Sequence, residues 1–131
     1  MSEIKTPISV GELLDKITIL EIKSEKIKDA EKLKNVGHEL NLLNTVWQES
    51  GLENAEVKKL KGDLKTINLR LWGIEDDIRM QEKQQSFSDE FIRLARSVYF
   101  ENDTRAAIKK EINLLTGSDL VEEKSYEDYT S

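Results

Sequence analysis

The chain has 131 residues, of which 37% are hydrophobic and 35% charged, with a formal net charge of −6, one histidine and no cysteine. The lack of cysteine excludes disulfides, thiolate catalysis and cysteine-ligated zinc, and the acidic balance disfavours a phosphate backbone as partner. No apolar run approaches the ~18 residues of a membrane span, and MSEIKTPISV lacks the charged and apolar regions of a signal peptide. One helical domain over 1–131 in the cytoplasm is therefore the expectation.

Residues 1–8 read as an extended lead containing the only proline, Pro7. Ser9-Val10-Gly11-Glu12 has the form of a capping box, a serine oxygen for an orphan amide with a glutamate three residues later reaching back. The first helix follows, with Val10, Leu13, Leu14, Ile17, Leu20 and Ile27 on one face. Ile19 and Ile22 add a second apolar side, and a helix apolar on two sides is buried between layers or shared with another chain. Since nothing in the sequence provides those two residues with an internal partner, a homodimer through this side is expected.

Asp29 caps a second helix from about Ala30, whose stripe is Leu33, Val36, Leu40, Leu43 and Trp47. Gly37 weakens it locally. Ser50-Gly51 closes it, and the short loop to Asn54 folds the next helix back antiparallel. That third helix, Asn54 to Gln84, carries Val57, Leu60, Leu64, Ile67, Leu71, Ile74 and Ile78 at alternating spacings of three and four. This is the heptad pattern of a coiled-coil seam, and at 1.5 Å per residue the helix would span ~45 Å. The fold class is all-α: an elongated antiparallel helical hairpin or bundle around a long, heptad-patterned helix.

Ser86 or Ser88 can cap a fourth helix marked by Phe91, Leu94, Ala95 and Val98. Two arrangements are open beyond it. An unbroken helix would carry the stripe through Asn102, Arg105, Lys109 and Ile112, placing three polar side chains in the seam, which costs free energy unless they are paired. A break at Asn102-Asp103-Thr104 would instead rotate the stripe to Ala106, Ile108, Ile112 and Leu115 and leave the polar residues in water. The break is the preferred arrangement. Gly117 ends the helix, and 118–131 is an acidic, partly ordered tail.

The chemistry-bearing residues gather in two blocks. In LWGIEDDIR, Glu75 and Arg79 lie one turn apart, as do Trp72 and Asp76, giving a polar ledge beside an aromatic wall or an ordinary surface ion pair. With the other block they make up a candidate ligand-binding set for an anionic small molecule: Glu75, Arg79, Arg96, Tyr99, Asn102, Asp103, Arg105 and Lys109. Glu21 and Glu25 sit one helical turn apart, a spacing that can gather a hard cation, but Lys23 and Lys26 read as their salt-bridge partners. His38 has no catalytic companion and reads as a surface histidine. There is no glycine-rich phosphate loop. No metal and no cofactor are expected, and no catalytic residue can be named.

The blocks PISVGELLDKITILEIKSEKI, KLKNV with a nearby HEL, LWGIEDDIR, FIRLARSVYFENDTRAAIKKEIN and GSDLVEEKSY resemble a small bacterial and phage family of unknown function, from about Pro7 to Tyr126. The resemblance implies one intact helical unit and carries over no catalytic residue. At fold level only, the pattern is similar to the helical chorismate mutase, whose grip on a dianion Arg70, Arg79, Arg96, Arg105 and Lys109 could mimic. The first-helix arginine of that enzyme is absent here. The leading expectation is a non-enzymatic helical interaction or scaffold protein, self-associating or bound to a protein partner. The second is a module or enzyme that takes an anionic metabolite.

Overall fold

The computed structural model describes residues 2–130; Met1 and Ser131, the ends of the expected lead and tail, lie outside them. Four helices follow in order, α1 (Val10–Lys26), α2 (Ala30–Ser50), α3 (Ala55–Lys83) and α4 (Asp89–Thr116), with no strand among the described residues. The fold is all-α, as the periodicity indicates. No described helix is long and apolar enough to cross a membrane.

Local signals set the boundaries. Asp29 accepts from the Lys32 amide and Asn54 from the Val57 amide, each covering an orphan donor at a helix start. Ile27 turns extended, so α1 and α2 stay separate. Gly51 and Gly117 close α2 and α4 with φ of 67° and 65°, a left-handed conformation that favours glycine. The capping box forms only in part. Ser9 Oγ accepts from the Glu12 amide at 3.0 Å, but the Glu12 carboxylate leaves the cap and pairs with Lys109 Nζ at 2.6 Å.

Packing centres on α1, which lies against α2, α3 and α4, while α3 and α4 also pair with each other. The main core joins Leu13, Leu14 and Ile17 of α1 with Trp47 of α2, Val57 and Leu64 of α3 and Ile112 of α4. Each fully buried aliphatic side chain there contributes ~1.5–3 kcal/mol. Gly11 lets α1 come close to α4: a Cβ at this position would stand 2.5 Å from the Lys109 carbonyl oxygen. The stripe of α3 is not buried evenly. Val57, Leu64 and Ile67 are buried, whereas Leu71, Ile74 and Ile78 are only half-covered.

Three sequence expectations need correction. The helix does not break at Asn102-Asp103-Thr104, because α4 runs without interruption through them. The seam keeps its polar residues because α1 supplies carboxylates for Arg105 and Lys109, and Arg105 in turn donates to Asn102. Nor is the second apolar side of α1 wholly free: Ile22 is 1% exposed and buried by its own chain, while Ile19 is half-buried at the edge of an open cleft. The ion-pair partners of Glu21 and Glu25 also differ: Lys61 and Lys65 of α3 take that place.

Candidate functional site

Where α1, α3 and α4 meet, apolar packing gives way to a buried polar network. Its centre is Asp15, with a side chain 2% exposed. Arg105 grips it with both arms of its fork, Nε donating to Oδ1 at 3.0 Å and Nη2 to Oδ2 at 2.6 Å. Asn68 Nδ2 donates to Asp15 Oδ1 at 2.9 Å and to Thr18 Oγ1 at 3.0 Å, and the Thr18 hydroxyl donates to the Asp15 carbonyl at 2.8 Å. Lys109 stands 3.8 Å from Asp15 while bonding Glu12. One turn further along, Asn113 Oδ1 accepts from the Gly11 amide at 2.6 Å. Among the described residues, no buried side-chain nitrogen or oxygen lacks a partner.

The spacing explains the convergence. Gly11, Asp15, Thr18 and Ile22 recur at 4-3-4 along α1, and Asn102, Arg105, Lys109 and Ile112 at 3-4-3 along α4, so each set faces one way. Burial pushes the Asp15 carboxyl up, but hydrogen bonds from Arg105 and Asn68 and the charges of Arg105 and Lys109 outweigh it and hold the pKa below the usual range. Its hydrogen bond to Asp15 keeps Arg105 still more firmly protonated, against the opposing effect of burial.

Arg105 remains 28% exposed in its side chain and borders two open clefts. One, of about 400 Å³, lies against α1 and α3 and holds Trp72, Glu75, Arg79 and Asn102 around Arg105. The other, of about 480 Å³, runs along α4 beneath the tail, with Tyr99, Asp103 and Lys109 beside Asn102 and Arg105. The candidate residues are thus divided between two faces, with Asn102 and Arg105 common to both. Arg96 joins neither of these clefts; its guanidinium reaches the Tyr99 hydroxyl at 3.4 Å and sits 5.8 Å from the Phe100 ring centre.

A protein-family model described as a family of unknown function (DUF6165) matches residues 4–131. The chain belongs to this family. No curated protein and no solved structure matches it.

Chemically, the network is close to neutral: the carboxylates of Asp15 and Glu12 face the cations of Arg105 and Lys109. Arg105 is held rigidly, and its bonds to Asp15 and to Asn102 Oδ1 at 3.3 Å occupy only some of its donors. Asp15, Thr18 and Asn68 carry no reading in the sequence analysis, and Glu12 is read there only as half of a capping box. Asn68, four residues after Leu64 and three before Leu71, carries a readable signal: an amide at helical spacing between apolar neighbours. Asp15 shows it less plainly because Leu14, Lys16 and Ile17 surround it.

Proposed function

We propose that the chain is a non-enzymatic helical interaction module of the cytoplasm that self-associates through the far part of the α3–α4 hairpin. The observation behind this reading is the half-covered continuation of the α3 stripe, Leu71, Ile74 and Ile78, beside the exposed Met80, Phe87 and Ile92. A two-helix hairpin buries only one side of such a seam, and a second hairpin packed in coiled-coil fashion would bury the other. The charges suit a two-fold arrangement: Glu75, Asp76 and Asp77 on α3 could face Arg93 and Arg96 on a second copy's α4.

Light scattering tests the proposal directly. A mass twice the 15.1 kDa of one chain is expected at micromolar concentration, falling to one chain in Ile92→Asp. A monomer in the native sequence at that concentration would sink it. Ile22→Asp is unsuited to the purpose, because it strikes a buried residue and would report on folding.

A second reading, a module for an anionic small molecule, is favoured by the meeting of Glu75, Arg79, Asn102 and Arg105 with Trp72 in one cleft. The balanced charges around Arg105 weaken it. A thermal-shift series with inorganic phosphate and simple carboxylates tests it, since a ligand that binds the native state raises its stability. No shift at millimolar ligand would count against it.

A further inference from the structure

The tail beyond Gly117 has no helix or strand, yet it lies against α4 with a definite set of contacts. Its first residues attach to the start of α1: Ser118 Oγ accepts from the Val10 amide at 3.1 Å, and Ser9 Oγ donates to Glu122 Oε1 at 2.5 Å. Further on, Glu123 lies 3.7 Å from Lys110 Nζ. Asp103 then receives two tail side chains at once, Lys124 Nζ and the Tyr129 hydroxyl. The Tyr129 ring closes the run, its centre 5.0 Å from that of Tyr99 and 5.2 Å from that of Phe100, edge-on to the latter.

The tail therefore travels back along α4 as an extended segment, from residue 118 beside the helix end to residue 129 beside Tyr99. Its two tyrosines fare differently. Tyr126 is 87% exposed and Tyr129 46%, so Tyr129, still exposed, is the better covered of the two. The groove recognises three things: an aromatic ring for Tyr99 and Phe100, a hydroxyl and an ammonium converging on Asp103, and carboxylates for Lys110 and Ser9. This is the logic of peptide recognition, with polar contacts setting register and an aromatic ring contact at the surface closing the run.

We propose that this face of α4, from Tyr99 to Lys110, is a docking groove for an extended peptide, and that its occupant in trans is the 118–130 segment of a second copy. The hinge is short: Gly117, at φ 65°, is the point where the tail leaves the helix. A tail swung out at that hinge and laid on a neighbour would remake the same contacts. Exchange then costs chain entropy and little contact energy, and rising concentration favours it. The native tail competes in cis, so the groove is self-occupied in a dilute chain and available when the tail is loosened.

The proposal takes from the self-association reading only the identity of the partner. The two can fail separately. A monomeric chain that binds the peptide would overturn the hairpin contact and keep the groove, and a dimer that ignores the peptide would do the reverse.

The test uses the full chain and a fluorescently labelled synthetic peptide of residues 118–130, followed by anisotropy. Tyr129→Ala in the full chain loosens its own tail and should bind the peptide at least tenfold more tightly than the native chain does. Adding Asp103→Ala to that variant should abolish the gain, and a peptide carrying Tyr129→Ala should not bind. Both protein changes lie on partly or fully solvated positions, so helical circular dichroism should hold and show that the fold is intact. Equal affinity for the native and Tyr129→Ala chains would overturn the proposal, as would binding that survives the loss of Asp103.

Discussion

At one end of the α3–α4 pair, Val57 and Leu64 share a fully buried cluster with Ile112 and with Leu13, Leu14 and Ile17 of α1. At the other end, Leu71, Ile74 and Ile78 continue the same stripe beside Phe91 and Val98, and none of these five is buried. The sequence pattern is alike at both ends; the difference lies in cover. A pair of helices hides the line where they touch, and only a third element hides the flanks. Between the two ends stands the polar network of Asp15, Asn68 and Arg105, so the bundle passes from dry core through paired charges to a half-covered hairpin.

The sharpest way to break this contrast is at the network. Asp15→Ala leaves Arg105 with Asn102 but without its carboxylate, and loss of one partner from a buried pair costs ~3–5 kcal/mol. The lower part of that range is expected, since Arg105 is 28% exposed in its side chain. Urea unfolding followed by circular dichroism measures it, and a loss under ~1 kcal/mol would show that the pair adds little beyond a surface bridge.

Next comes a matched pair of truncations. Leu14→Ala in the dry core should cost ~3 kcal/mol, and Ile78→Ala in the half-covered seam about 1 kcal/mol in the monomer. Equal costs would mean that the two ends are covered alike. Gly11→Ala follows at ~2 kcal/mol, because its methyl would meet backbone that cannot swing aside. Gly73→Ala on α3, where a Cβ would meet nothing within 4 Å, should be neutral or mildly stabilising.

The smallest effect is on pH. The folded pKa of Asp15 lies below its unfolded value, so its contribution is present in full above about pH 4 and fades as pH falls through the folded pKa. The urea midpoint of the native chain should therefore drop on acidification below that point. Asp15→Asn should flatten part of the drop, and an unchanged slope would remove Asp15 from the account.

Much of the scaffold was legible in the residues. Asn54 and Gln84 flank α3 as caps, Asp29 caps α2, and Gly51 and Gly117 end their helices, because each signal acts within a turn of its own position. Asn102-Asp103-Thr104 misled for the same reason. Asn, Asp and Thr favour breaks when judged locally, whereas here the seam positions are held by Asp15 and Glu12, roughly ninety residues away in the chain. The free side assigned to Ile19 and Ile22 failed similarly at Ile22, since the neighbours that bury it are set by tertiary packing, while Ile19 stays half-covered. Of the candidate site, the α4 residues Asn102, Arg105 and Lys109 could be read as out of place, but the α1 partners of Arg105 and Lys109, and the Asn68 of α3 that also holds Asp15, could not. A lone Asp or Asn on a helix becomes informative only when the facing helix is known.

The bidentate grip of Arg105 on Asp15 also bears on how the chain reaches its fold. A heptad seam tolerates sliding by whole repeats, since one leucine replaces another with little change in energy. If α4 slid one repeat against α1, Arg105 would meet Ile22 in place of Asp15, and the buried Asp15 carboxylate would keep Asn68 but lose its cation. Misaligned collapse is thus penalised at a single checkpoint while the aligned bundle satisfies every member of the network. On this view the polar residues act as a proofreading device for assembly, rejecting near-miss registers that the leucines and isoleucines alone would accept.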